Sequence, residues 1–413
     1  MLIREINKEE LNNYLSKIPH SLYQTEEYAK TMEKQNFNIK ILGLEENGNI
    51  IGSTILLITK KIGFTYAFAP RGFVIDYNNN LLLNKFTSEI KKYCKKNGIV
   101  AIKLNPRIIK EINGNINNNY KDICSNLNKL KYIHLGYNDF FESFKPRFEA
   151  IIEIKNKNEM FKNIKKEYRT KIRSAIDNGV EIHKGTYEDL KYLYLQTEKK
   201  YPRDLLYFQY LYYYFNQNKK IDLFYAKLDC EKLLNKFRNL YIKQEKICNE
   251  INNQMEIEHS NKLTAIKIEA DNLLGKYHDQ LTTASKMIQR YPKGIIIASA
   301  LFIKEDNEVY MIMDGFDKNY KRYNAKHLLI WEALNYYKNY KYLNLGGITS
   351  LKEDKYKGLN NFKMNFGSTA YEYIGDLELI CIPSKYFLLK NAIPYQNIIK
   401  KWFIYNNIYD IIN

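Results

Sequence analysis

Cysteine is scarce in this chain and never paired at short range. The five cysteines, Cys94, Cys124, Cys230, Cys248 and Cys381, are odd in number and form no C-x-x-C. That disfavours a disulfide framework or a zinc site and leaves reduced, mostly structural thiols. The six histidines are equally dispersed, with no H-E-x-x-H, and neither a G-x-S-x-G elbow nor a G-x-x-x-x-G-K-[ST] loop is present. Metal hydrolase, serine hydrolase and P-loop enzyme all lose ground, and no metal is expected. No apolar run approaches the ~20 residues needed to cross a bilayer. The opening MLIREINKEEL lacks the apolar core of a signal peptide, so a folded protein of the cytoplasm is the expectation.

Positive charge and length are abundant. Lys plus Arg exceed Asp plus Glu by 64 − 46 = 18, a field that favours polyanions: RNA, DNA, anionic lipid or nucleotide-linked substrates. With 413 residues, 45% of them hydrophobic, the chain is long enough for two cores.

The order of elements repeats. NIKILGLEENGNIIGSTILLITKK from residue 38 reads as two strands around Asn47-Gly48, a hairpin dipeptide. A third strand follows in GFTYAFAPRG. LLLNKFTSEIKKYCKKNG, with Leu82, Phe86, Ile90 and Cys94 at helical spacing, reads as a helix, and IVAIKLNP as a strand. Later GIIIASALFIKEDNEVYMIMDGF, NAKHLLIWEALNYYKNY and KYLNLGG repeat strand, strand, helix, strand. Two related α/β (α+β) domains with mixed sheets follow, 1–148 and 149–375.

Two further segments stand out. In NEMFKNIKKEYRTKIRSAIDNGVEI the residues Met160, Ile164, Tyr168, Ile172 and Ala175 form an apolar stripe, while Lys165, Lys166, Arg169, Lys171 and Arg173 form a basic face suited to RNA phosphates. From 228 to 290, Leu234, Phe237, Tyr241, Gln244, Cys248, Ile251 and Met255, then Leu263, Ile266, Ala270, Leu273, Tyr277, Gln280, Ala284 and Met287, alternate steps of three and four. An inserted antiparallel coiled-coil arm is predicted there.

The most telling stretch is GLNNFKMNFGSTAYEYIGDLEL, residues 358–379, which sets Lys363 between Phe362 and Phe366. Aromatic neighbours lower the local dielectric and strengthen an ammonium's action on a developing oxyanion or a phosphate; a snorkelling lysine is the alternative. In YPRDLLYF, Arg203 can grip phosphate, and Tyr207, four residues on, shares its face of a helix, with Pro202 at the first turn. In YAFAPRGFVID, Arg71 and Asp76 bracket a Gly72 turn at a strand end; Asp76 either accepts from a bound amine or caps the turn.

Together with LYQTEEYAK, KHLLIWEAL and YLNLGGI, these motifs appear in an order that resembles the FemABX family of non-ribosomal peptidyl transferases, over nearly the whole chain. The resemblance implies two tandem GNAT-like domains in one body, with the helical arm of one branch of the family and the final segment, 376–413, joined to the first domain. It implies an aminoacyltransferase that uses aminoacyl-tRNA as co-substrate to extend the stem peptide of a peptidoglycan precursor, lipid-linked or UDP-linked. It places Lys363 at the active centre, Arg203 and Tyr207 on the precursor's diphosphate and sugar, Tyr310 along the precursor site and a phosphate-binding lysine near Lys30, with Lys34 as a rival. No cofactor is expected, because an aminoacyl ester is already activated and needs an amine nucleophile and a stabilised oxyanion. Peripheral contact with the inner membrane face and association with related transferases complete the expected partners. Two alternatives stay open: a GNAT-type acyltransferase with another donor, although no Q/R-x-x-G-x-G/A loop is found, and a basic RNA-binding scaffold whose arm serves assembly.

Overall fold

The structure is a computed structural model that describes all residues except 62, 142–144, 199–202, 259, 353–354 and 393–413. Pro202 and the end of segment 376–413 therefore lie outside the described residues.

Two mixed sheets form the frame. Asn38–Glu46 and Asn49–Lys61 pair as the hairpin expected around Asn47-Gly48, both of whose residues take positive φ (51° and 79°), as a tight hairpin turn requires. Phe64–Ala69 continues the sheet, the helix Asn80–Lys96 crosses over, and Ile99–Leu104 returns parallel to Phe64–Ala69. Asn79 caps that helix by accepting from the Leu82 N–H at 3.0 Å, and its buried stripe is Leu83, Phe86, Ile90 and Cys94, with Leu82 half-buried beside it. Leu2–Glu5 lies at one edge of this sheet; Leu377–Ile380 and Tyr132–His134 complete the other.

The second sheet repeats the order. Ile221–Leu228, Ile295–Glu305 and Glu308–Phe316 run antiparallel, the helix Ala325–Tyr336 crosses, and Tyr342–Ile348 returns parallel to Glu308–Phe316. The architecture is a pair of GNAT-like α/β units in tandem. Val180–Gly185 forms one edge, and Phe148–Glu153, Thr369–Tyr373, Ile109–Ile112 and Asn115–Ile116 extend the other. The last two strands come from within the 1–148 segment, so the chain crosses into the second sheet before the boundary drawn from the sequence.

The parallel pairs differ in one respect that matters for the site. In the first sheet, pairing runs from Thr65↔Ile99 to Ala69↔Leu104. In the second it covers Glu308↔Tyr342, Val309↔Leu343 and Tyr310↔Asn344 and then stops, so the two strands part toward their C-terminal ends.

One apolar cluster joins the halves: Leu22, Tyr28, Ile55 and Phe68 from the first pack with Phe208, Leu301, Ile303 and Tyr310 from the second. The basic segment is two helices, Lys157–Asn163 and Lys166–Asp177, separated by Ile164 in an extended conformation. All five residues of its predicted stripe are buried. The arm is an antiparallel pair, Cys230–Ile257 and Asn261–Arg290, in which Gln244 donates to the Ala270 carbonyl at 3.1 Å. Ile266, assigned to its seam, is instead 42% exposed, because the second helix turns its Leu263, Ala270 and Leu274 side to the partner. Among the described residues no helix is long and apolar enough to cross a membrane.

Candidate active site

Lys363 lies on the helix Lys357–Met364, which follows the strand Tyr342–Ile348. Its side chain reaches back into the gap between the parted strands, where its ammonium donates to the Gly347 carbonyl at 2.7 Å. The residue is 7% exposed. Burial pushes the ammonium down to about 8, against the partial support of Asp314 and Glu149 and with Lys326 adding to the fall. The flanking aromatics act at one remove. Phe362 and Phe366 pack on Tyr168 and His327, on the side covered by the basic helix.

Behind the gap runs a buried ladder of charges. Arg71 donates to Glu149 Oε1 at 2.5 Å and to the Pro146 carbonyl at 2.7 Å, and its guanidinium stacks 4.7 Å over the Tyr373 ring. Arg71 takes a positive φ of 53°, and its N–H is held by Asn105 Oδ1 at 2.9 Å. Gln24 fixes the same turn: it donates to the Pro70 carbonyl at 2.8 Å and packs so closely that a side chain at Gly72 would meet it at 2.9 Å. Arg107 pairs with Glu308 at 2.7 Å and donates to the Tyr310 hydroxyl at 2.8 Å, which itself donates to Glu308. Asn344 joins the two pairs, donating to Glu149 at 2.9 Å and to Glu308 at 2.8 Å. Burial alone would raise the Glu149 carboxyl. Arg71 and Arg107, with hydrogen bonds from Asn344 and Arg71, pull it down to about 2.

A second cluster meets this ladder. Arg203 lies 4.7 Å over the Tyr207 ring, Tyr23 and Tyr28 stand edge to face at 5.0 Å, and the Lys145 ammonium sits 3.2 Å from the Tyr23 ring centroid. Burial, then Arg203 and Arg71, hold the Lys145 pKa well below its usual value, with Glu149 opposing. Three cations and three tyrosines therefore converge, an arrangement suited to a polyanion attached to a sugar. Next to Phe362, the residue before Lys363, a cavity of about 320 Å³ is lined by Tyr320, Lys321, Asn324, Lys326, His327 and Phe362, at the N-terminus of the helix Ala325–Tyr336. Lys326 pairs with Asp314 there and lies 4.3 Å from the Phe362 ring. A larger cavity of about 580 Å³ opens between the halves, with Arg71, Arg107, Glu308 and Tyr373 in its wall but not Lys363 or Arg203.

The sequence-derived candidates divide. Lys363, Arg71, Tyr310, Arg203 and Tyr207 belong to this connected region. Asp76 does not join it: its side chain is exposed and accepts from the Asn78 N–H at 2.9 Å, capping its own turn. Lys30 is half-exposed and paired with Glu26 at 2.8 Å, one helical turn away; Lys34 is exposed. On the basic helix, Lys165 and Lys166 are exposed and Arg169 half-buried, whereas Lys171 is engaged by Glu167 and Arg173 stacks on Phe161. Glu149, Asn344, Glu308, Arg107 and Lys145 were missed. The available signal was a carboxylate or amide inside an apolar strand, as in FEAIIE and YLNLGGI.

Two tandem α/β units thus share one body, with a buried lysine where two strands of the second unit part. The chain belongs to the FemAB family, whose model matches residues 6–393. It is 25% identical over 392 residues to the lipid II:glycine glycyltransferase of Staphylococcus haemolyticus (strain JCSC1435), covering 90% of this chain and 91% of that protein. With the enzyme of the same name from Staphylococcus aureus it shares 22% identity over 407 residues, covering 94% and 95%. A crystal structure of FemX superposes with a TM-score of 0.75 at 23% identity, covering 94% of this chain and all of that one.

Proposed function

We propose that this enzyme transfers an amino acid from aminoacyl-tRNA to the side-chain amine on the third residue of the stem peptide of a peptidoglycan precursor, building an interpeptide bridge. The observation that carries the reading is Lys363: a desolvated ammonium between two parting strands, which feels Glu149 of the cationic aromatic cluster and Lys326 of the aromatic-lined cavity. An anionic substrate bound at each would bring its reacting end toward this ammonium. The names of the relatives, which act on lipid II, support a lipid-linked acceptor. The net charge of +18 suits both tRNA and an anionic membrane face, and a cytoplasmic or membrane-peripheral site of action follows from those partners.

The chemistry is acyl transfer between bound substrates. The acceptor amine attacks the ester carbonyl, the C–N bond forms, and the negative charge gathers on the former carbonyl oxygen. The Lys363 ammonium donates to that oxyanion in a site where water is scarce. The C–O bond to the ribose then breaks, and the proton lost by the amine ends on the departing ribose hydroxyl. Arg71, Lys145, Arg203 and Tyr207 hold the precursor's diphosphate and sugar. Tyr310 supports that site through Arg107 and Glu308, and the basic helix and the arm hold the tRNA. The reaction calls for no metal or organic cofactor, because the ester supplies the activation and binding supplies the proximity.

Incubation with charged tRNA and lipid-linked or UDP-linked muropeptide, followed by mass spectrometry, tests this. An added amino acid in amide linkage is expected. Product from an acyl thioester, or binding of RNA without any product, would favour the other readings.

A further inference from the structure

We propose that Asn344 is a positioning residue for the transfer reaction: its amide sets the Gly346-Gly347 bulge that holds the Lys363 ammonium between the strands Glu308–Phe316 and Tyr342–Ile348. The inference rests on the role of Lys363 given above.

Asn344 is the last residue of its strand paired on both sides, with Tyr310 on one neighbour and Ile151 on the other. Immediately after it the register slips. Gly347, rather than Gly346, stands opposite Glu149, so this strand carries one residue more than its partner. Asn344 is 1% exposed, and both its amide N–H groups and its amide oxygen are engaged. Its Oδ1 accepts from the Gly346 N–H at 2.8 Å, which closes the bulge onto the side chain, while its NH₂ donates to Glu149 at 2.9 Å and to Glu308 at 2.8 Å. The orientation is forced, since the reverse would aim a carbonyl oxygen at two carboxylates.

The bulge forms the socket of the lysine. Gly346 has a φ of +79°, and a Cβ there would lie 3.6 Å from Lys363 Nζ and 3.5 Å from the Met311 carbonyl. The next carbonyl, that of Gly347, receives the ammonium at 2.7 Å. A continuous chain of contacts thus runs from the buried Arg71–Glu149 and Arg107–Glu308 pairs through Asn344 and two glycines to the amine. Aspartate at 344 would keep the contact to Gly346 but set a third carboxylate against two others. Alanine would leave the Gly346 N–H without its acceptor and take one donor from each carboxylate, whose oxygens keep only Tyr373 and Arg107.

The test uses the full chain with Asn344→Ala, Asn344→Asp and Lys363→Met, measuring single-turnover transfer under saturating substrates, KM for each substrate, and the pH profile from 6 to 10. Lys363 is faced by Asp314, Lys326 and Glu149, none of which these variants remove. Asn344→Ala is expected to lower turnover about 10- to 100-fold with little change in KM. It should also move the alkaline limb of the profile upward, since an ammonium no longer held in a dry socket titrates nearer to free lysine. If Asn344→Ala does not fold, Gly346→Ala, which places a methyl beside Nζ, is expected to give the same signature. Turnover within a factor of about three of wild type, or a loss with the alkaline limb unmoved, would overturn the positioning role. Full activity in Lys363→Met would instead refute the underlying role of the lysine.

Discussion

Removing the Lys363 charge should make the protein more stable and less active at once. Lys363→Met keeps the length and the apolar stem and deletes the ammonium. In the native fold, burial holds this group down from 10.5 to about 8, so at pH 7 it is charged in a place that disfavours charge. That drop corresponds to roughly 3 kcal/mol of destabilisation. The sign is that of a base with a lowered pKa: the cost is present in full below about pH 8 and fades as pH rises toward 10.5. The variant is relieved of this cost but leaves the Gly347 carbonyl without its 2.7 Å donor, a loss of about 1–2 kcal/mol. The net expectation is a gain of about 1–2 kcal/mol in denaturant unfolding. Single-turnover transfer should fall by about 10²–10³, equivalent to ~2.7–4 kcal/mol, if the ammonium acts on an oxyanion made in the transition state. The wild-type rate should also decline as pH rises through about 8, where the ammonium is lost. Transfer within a factor of about three of wild type, under ~0.7 kcal/mol, would refute the catalytic role. Loss of activity together with a large loss of stability would refute the desolvation argument.

Glu149→Gln should destabilise the fold by about 3–5 kcal/mol in urea unfolding, because Arg71 would stay buried without its carboxylate partner. Asp76→Ala, at an exposed turn cap, should leave transfer near the wild-type rate; a fall of tenfold or more would return this residue to the site. His20 is buried against Glu305, with Lys220 on the same carboxylate and Asp306 nearby. Burial opposes its charge, but Glu305 and the Ile18 carbonyl outweigh it and raise the pKa above 6.5. Its contribution to stability is full below pH 6.5 and lost as pH rises through the raised value, so melting curves of His20→Gln should show a weaker decline from pH 6 to 8 than those of wild type. Replacing 241–280 with a Gly-Ser linker, which keeps Leu233, Phe237, Ala284 and Met287 in the core of the body, should leave a folded body that binds precursor normally and tRNA more weakly; unchanged tRNA affinity by filter binding would remove the arm from donor recognition.

Local pattern alone revealed a good part of this molecule. The Asn47-Gly48 turn, the helical spacing of Phe86, Ile90 and Cys94, the stripe from Met160 to Ala175 and the two long helices of the arm are short-range features, set by turn chemistry and by which side chains recur on one face. The same locality made the repeated strand, strand, helix, strand order visible, and an aromatic-flanked lysine before a glycine singled out Lys363. What surrounds that lysine was settled by pairings between distant parts of the chain. Arg71 meets Glu149 across 78 residues and Arg107 meets Glu308 across 201, and neither carboxylate can be told from an ordinary strand glutamate until the sheets close over it. Asp76 and Arg71 looked equivalent in YAFAPRGFVID. Only the tertiary structure separated them, because the turn aims Arg71 into the body, where a charge must find a partner, and leaves Asp76 in water, where it caps its own backbone.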